Sequence, residues 1–190
     1  MLQPGSLNNK TIIITAGGTG LGKSMGKYFL ELGANLVITS RKKEVIVNTA
    51  NKLMNETGGK VLAIPCDVRK YDEIENLLKE AENTFGQIHG VLNNAAGNFI
   101  SLTEGAWSRL LPGELVKKFD PAERIPLKRV GDHQELANLA AYLMSDYSSY
   151  INGEVITIDG GEWLRNGGEF SHLEAIPEVL WDNIEKMRGK

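Results

Sequence analysis

The sequence predicts an α/β fold, a parallel sheet with helices on both faces. Two observations predict it. The first hundred residues alternate strictly between short apolar runs and amphipathic helical runs, the pattern of consecutive β-α-β units. A glycine-rich turn, Thr15-Ala16-Gly17-Gly18-Thr19-Gly20-Leu21-Gly22, follows the first apolar run and opens the first helix. A strand, a glycine turn and a helix N-terminus in that order form a phosphate cradle, because glycine lets the backbone approach a pyrophosphate while the free N–H groups of the helix meet its charge.

The elements follow in chain order. Thr11-Ile12-Ile13-Ile14 is the first buried strand, and Gly22 to Leu32 is a helix with Met25, Phe29, Leu30 and Leu32 inward, closed by Gly33. Asn35 to Thr39 is the second strand. Residues 43–57 form an amphipathic helix stopped by Gly58-Gly59, and Lys60 to Ile64 is the third strand, ending at Pro65-Cys66-Asp67-Val68. Tyr71 to Phe85 carries Ile74, Leu77, Leu78, Ala81 and Phe85 at helical spacing, and Ile88 to Leu92 is a fourth strand running into Asn93-Asn94-Ala95-Ala96-Gly97.

The second half reads differently. Between Asn98 and Asn152 there is no strand-like apolar run. Glu104 to Phe119 is a helical segment broken at Pro112-Gly113, residues 121–131 are basic and irregular, and Gln134 to Met144 is a clear helix. Glu154-Val155-Ile156-Thr157-Ile158-Asp159 reads as a lone strand before Gly160-Gly161, and Pro177 to Met187 as a closing helix.

Bulk properties narrow the function. At 190 residues the chain fits one domain with a real core. A net charge of −3 and a pI near 5.7 give no electrostatic basis for a nucleic-acid or anionic-membrane partner. Cys66 is the sole cysteine, and His89, His133 and His172 show no ligand spacing, so neither a disulfide nor a metal site is expected. The N-terminus has no basic stretch followed by a long apolar run, and no run approaches a membrane span. The expectation is a soluble, cytoplasmic protein.

The end of the second strand discriminates between the nicotinamide dinucleotides. An acidic residue there would accept from the adenosine ribose and repel a 2′-phosphate. Here the chain reads Thr39-Ser40-Arg41-Lys42-Lys43, a hydroxyl followed by cations, with Arg41 able to grip a phosphate in a fork. NADP(H) is the expected cofactor.

Together these residues resemble the short-chain dehydrogenase/reductase family. The resemblance rests on the glycine turn at 15–22, on Cys66-Asp67-Val68, on Asn93 to Gly97, and on a late block, Arg124 to Gly131 with Ile151-Asn152-Gly153-Glu154 through Asp159-Gly160-Gly161. Ala16 stands where the family usually has its first glycine. Gly17-Gly18-Thr19-Gly20-Leu21-Gly22-Lys23, Ser40-Arg41-Lys42, Asn94 to Ser101, Thr103 to Leu110 and the tail Gly168-Glu169-Phe170 are similar to the 2,4-dienoyl-CoA reductase branch. The resemblance implies a Rossmann-like doubly wound sheet of order 3-2-1-4-5-6-7 in a single domain over 1–190, with a cofactor half at 1–102 and a substrate-side flap, last strand and tail at 103–190. It implies NADPH-dependent reduction of an enoyl or 2,4-dienoyl-CoA thioester in fatty-acid metabolism. The cofactor-binding positions carried over are Gly17, Thr19, Gly20, Leu21, Gly22, Ser40, Arg41, Lys42, Asp67, Val68, Asn93, Ala95, Gly97 and Thr103, with Asp67 toward adenine and Asn93 to Gly97 beside the adenosine ribose.

The family's catalytic Ser or Asn and its Tyr-x-x-x-Lys pair have no counterpart. Tyr28, Tyr71, Tyr142, Tyr147 and Tyr150 are each followed four positions later by a residue other than lysine, so no catalytic residue is assigned. Strands 5 and 6 are missing with their helices, two β-α-β steps of about 30 residues each, and the break falls near Leu102–Thr103. The last strand, Glu154 to Asp159, would stand about 14 Å from strand 4, at roughly 4.8 Å per strand spacing, with nothing to pair with unless the sheet closed up. Two readings follow. Either the 190 residues belong to a longer reductase, a homotetramer if it contains the two absent helices, or the deletion is real and the chain is a catalytically inactive nucleotide-binding remnant.

Overall fold

The computed structural model describes residues 2–95, 122, 125–165 and 177–187. Four strands, β1 (Thr11–Thr15), β2 (Asn35–Ser40), β3 (Val61–Pro65) and β4 (Gly90–Leu92), form one sheet of order β3-β2-β1-β4. All three pairings are parallel, with Ile13 opposite Val37 and Val91 and Val37 opposite Leu62. The helices α1 (Gly20–Glu31), α2 (Lys43–Thr57) and α3 (Tyr71–Phe85) connect them in turn. The helix α4 (His133–Met144), a 3-10 turn at Asp146–Ser148, and the helices α5 (Glu162–Arg165) and α6 (Glu178–Met187) follow. By contact the chain divides into two compact units, Met1–Gly97 with Asp132–Val155 and Asn98–Gly131 with Ile156–Lys190.

The two faces of the sheet follow from the period-2 alternation of its strands. Ile12, Ile14, Leu36 and Ile38 point to one face, where they pack with Met25 and Phe29 of α1, Ile46 and Leu53 of α2, and Ala137, Ala140 and Ala141 of α4. Ile13, Val37 and Ile64 point to the other face, against Leu77 and Ala81 of α3. α4 docks on α1 through alanines because small side chains let two helices approach closely. A capping box starts it: Asp132 and Glu135 each accept the other's backbone N–H. The second face is thinly covered toward β4, where Val91, which shares a face with Ile13, is 48% exposed.

α2 and α3 keep the bounds read from the sequence, and α2 ends on left-handed Gly58 (φ 69°). α1 begins at Gly20 rather than Gly22, β3 runs Val61–Pro65 rather than 60–64, and β4 starts at Gly90 rather than Ile88. The one strand that the structure overturns is Glu154–Asp159. That segment joins no ladder, and its apolar side chains are open, Val155 at 87% and Ile158 at 49%. A strand is a tertiary object. Its apolar alternation remains, but with no strand beside it among the described residues the segment forms no ladder. The 3-10 turn and α5 are short elements absent from the sequence reading. The helical segment expected over 104–119 lies outside the described residues.

Because Ala141 is fully buried at the α1–α4 contact, Ala141→Leu is expected to overpack it and lower unfolding stability by about 1–3 kcal/mol. Urea unfolding checks this; an unchanged midpoint would mean that α4 is not closely docked.

Candidate nucleotide site

The site is built where β1 ends. The backbone reverses at Ala16, whose φ of 52° is left-handed, and Gly20 (φ 52°) reverses it again into α1. A side chain on Gly17 would meet Ile38 Cγ2 at 2.8 Å, and one on Gly22 would meet the Ala16 carbonyl at 2.7 Å. These two glycines let the turn and α1 lie close to the sheet. Gly20 is different, since a Cβ there would meet nothing within 4 Å. It serves backbone conformation and leaves the approach to the α1 N-terminus clear. Thr19, at the N-cap, is extended and its side chain makes no capping bond, and the first turn holds no acidic residue. The positive end of α1 is therefore not neutralised by its own side chains.

Three side chains brace the turn. The Asn94 amide donates to the carbonyls of Thr15 (3.1 Å) and Ala16 (3.4 Å). The Thr15 hydroxyl accepts the backbone N–H groups of Asn94 and Ala95, both at 2.9 Å. From α2, the buried Thr49 hydroxyl donates to the Gly18 carbonyl at 2.8 Å.

In front of the turn lies a cleft of about 580 Å³ at the carboxyl ends of the strands, the ligand position general to open parallel sheets. Gly18 and Thr19 border it at the turn, Ser40, Arg41 and Lys42 after β2, Asp67 and Val68 after β3, and Ala95 after β4. Ser40 shapes its loop, with its hydroxyl accepting the Lys42 N–H at 3.3 Å. Arg41 and Lys42 are exposed. Cys66, also bordering the cleft, is buried, and burial, then the nearby Glu73, pushes its thiol pKa up, away from the reactive thiolate.

Asp67 is the most constrained group of the cleft. Its carboxylate accepts from Arg69 Nε at 2.9 Å and Nη2 at 2.6 Å, and from the Arg69 backbone N–H at 3.1 Å. Its own N–H is donated to Glu73 at 2.7 Å, and Lys70 holds Glu73 in turn, also at 2.7 Å. The hydrogen bonds from the Arg69 side chain, then from its backbone, hold the Asp67 pKa well below the ordinary carboxylate range.

Of the residues expected from the sequence, Thr19, Ser40, Arg41, Lys42, Asp67, Val68 and Ala95 border one cleft. Gly17, Gly20, Leu21 and Gly22 form the turn and the start of α1 behind it. Asn93 is exposed and stands outside the cleft lining, and its neighbour Asn94 braces the turn instead. Gly97 and Thr103 lie outside the described residues. Thr49 and Arg69 lie outside the sequence reading, and for Thr15 and Asn94, which stand within its motifs, the bracing role is new. For Arg69 a signal existed: an aspartate often accepts the backbone N–H two residues on. Among the described residues no group of His, Cys, Asp and Glu could hold a metal, and no helix is long and apolar enough to cross a membrane.

Known proteins resemble this chain in sequence and fold. A family model described as short chain dehydrogenase matches residues 10–115, and one described as Enoyl-(Acyl carrier protein) reductase matches residues 113–162. An uncharacterized oxidoreductase of Staphylococcus aureus is 35% identical over 184 residues, 97% of this chain and 74% of that protein. A probable 2,4-dienoyl-CoA reductase of Bacillus subtilis is 28% identical over 251 residues, 84% of this chain and 98% of that protein. That alignment is longer than the 190 residues available, so this chain is gapped against it internally. The crystal structure of a short chain dehydrogenase from Bacillus anthracis superposes with a TM-score of 0.65 at 26% identity, over 84% of this chain and 99% of that one.

Three outcomes are expected. Ala16→Gly should raise stability by roughly 0.5–1 kcal/mol, since relief of a left-handed alanine exceeds the added freedom of the unfolded chain. Gly22→Ala should lower it by about 1–3 kcal/mol through the contact with the Ala16 carbonyl. Denaturant unfolding reads both, and opposite signs would contradict this geometry. The Asp67 carboxyl, followed by NMR, should titrate below the ordinary range in wild type and move up toward it in Arg69→Ala, which keeps the backbone N–H of residue 69. Its pKa being depressed on folding, the stability it contributes is present above the unfolded value and is lost as pH falls through the folded one.

Proposed function

The chain belongs to the short-chain dehydrogenase family of oxidoreductases, and from that premise we propose that it binds NADPH in the cleft between Arg41 and Asp67, as the cofactor half of a reductase acting on an enoyl or 2,4-dienoyl-CoA thioester. The observation that carries the nucleotide reading is the convergence of the glycine turn, Arg41 and Lys42, and an Asp67 carboxylate fixed by Arg69 on a single cleft.

The residues fit the group. The open side of Gly20 and the uncapped start of α1 suit a pyrophosphate. Arg41 and Lys42, following Ser40 with no acidic residue between, suit a 2′-phosphate on the adenosine ribose. Asp67, an acceptor only, suits the exocyclic amine of adenine. When bound, the dinucleotide would supply a hydride from its nicotinamide ring. What this chain's residues do is hold and orient the adenosine end. The thioester substrate is suggested by the B. subtilis relative named a probable 2,4-dienoyl-CoA reductase and by the branch-like segments.

A second reading, nucleotide binding without turnover, is favoured by one observation: no tyrosine of the 190 residues has a lysine four positions on, and so no group is assigned to polarise or protonate the substrate oxygen. On this reading the 190-residue chain binds NADPH and leaves dienoyl-CoA thioesters unreduced. NADPH absorbance followed with a panel of dienoyl-CoA, ketone and sugar substrates separates the two. Thioester turnover by the chain itself would overturn the second reading, and turnover of a ketone or sugar alone would overturn the thioester.

Cofactor choice has its own test. Arg41→Ala is expected to weaken NADPH about tenfold, the lower end for a charged hydrogen bond because Arg41 is exposed and Lys42 stands beside it, and to leave NADH nearly unchanged. Ser40→Asp should go further, repelling the phosphate and offering NADH a ribose acceptor. Calorimetry with both cofactors measures the ratio, and equal losses in Arg41→Ala would remove the NADPH assignment.

A further inference from the structure

We infer that Arg69 sets the base specificity of the cleft: by clamping Asp67 as a fixed acceptor, it selects a purine that offers an exocyclic amine over one that offers a carbonyl oxygen at the same position. The inference rests on the reading of this cleft as the adenosine end of a nucleotide site.

The clamp uses most of what Asp67 has to give. A carboxylate offers about four acceptor directions. Oδ1 accepts from Arg69 Nε at 2.9 Å and from the Arg69 N–H at 3.1 Å, while Oδ2 accepts from Nη2 at 2.6 Å, with Nε at 3.2 Å. About one direction remains, on Oδ2. The Asp67 side chain is only 13% exposed and borders the cleft, and on this inference the remaining direction serves the bound base. The Asp67 backbone is pinned as well, through Glu73 and Lys70, which leaves the carboxylate little freedom to turn away.

The clamp also fixes its other member. Arg69, 74% exposed at its side chain, borders the same cleft. Two of its guanidinium nitrogens are engaged by Asp67. Loose on the cleft wall, these donors would welcome a carbonyl oxygen; engaged, they leave an acceptor as the fixed group. Adenine offers an amine N–H to that acceptor, whereas hypoxanthine would set a carbonyl oxygen against a carboxylate, lone pair against lone pair. Arg69 is thus a positioning residue that acts through Asp67.

The test uses adenosine 2′,5′-bisphosphate and inosine 2′,5′-bisphosphate, titrated by calorimetry into wild type, Arg69→Ala and Arg69→Lys. Wild type is expected to prefer the adenosine probe by about tenfold or more. In Arg69→Ala the preference should shrink to about threefold or less, chiefly through weaker adenosine binding. Arg69→Lys keeps the charge but lacks the fork and should behave like Arg69→Ala. A merely structural role would weaken both probes equally and leave the ratio intact, which would overturn the inference. Equal affinities in wild type would overturn it while leaving the nucleotide reading standing. Failure of both probes to bind wild type would bring down the reading and the inference together.

Discussion

The structure depends on the knot that ties the end of β1 to the end of β4. Left-handed Ala16 turns the chain out of the sheet, and the carbonyls of Thr15 and Ala16 are caught by the Asn94 amide as the Thr15 hydroxyl catches the N–H groups of Asn94 and Ala95. Unpartnered, these groups would be costly so near the core. The knot does two things at once. It fixes the glycine turn against α1, with no space for a side chain at Gly22, and it places Ala95 at the rim of the cleft.

From that constraint the cleft follows. β1 is buried at every position and central in the described sheet, so β2 and β3 end beside the turn and deliver Ser40 to Lys42 and Asp67 to its rim. The two sides are chemically opposed. One carries the exposed Arg41 and Lys42, and the other a carboxylate already committed to Arg69, on a backbone whose N–H is held by Glu73. A ligand with a phosphate at one end and an amine at the other matches that polarity. Open parallel α/β sheets take their ligands at this end, and no tyrosine of this chain has a lysine four positions on.

What was legible in the sequence is what short-range physics decides. α3 could be read because Ile74, Leu77, Ala81 and Phe85 share a face and Gly86 stops it, and α2 because Gly58 accepts the left-handed conformation at its end. The stretch from Glu154 to Asp159 misled because its alternation is a request for a neighbouring strand, and among the described residues none stands beside it. Asn93 and Asn94 are adjacent and chemically identical, and only the direction of the carbonyls at Thr15 and Ala16 separates the exposed one from the brace. Arg69 is not legible because an aspartate at a strand end can pair with a ligand or with its own loop, and only the fold shows the loop partner.

The most direct test of the account compares the whole dinucleotide with its adenosine half. If the chain holds only the adenosine end, adenosine 2′,5′-bisphosphate should bind the 190-residue chain within about tenfold of NADPH, a difference of roughly 1.4 kcal/mol. Nicotinamide mononucleotide should not bind measurably. A dissociation constant for NADPH a hundredfold or more below that of the half-molecule, or firm binding of the mononucleotide, would contradict the account by showing that this chain grips the nicotinamide end as well.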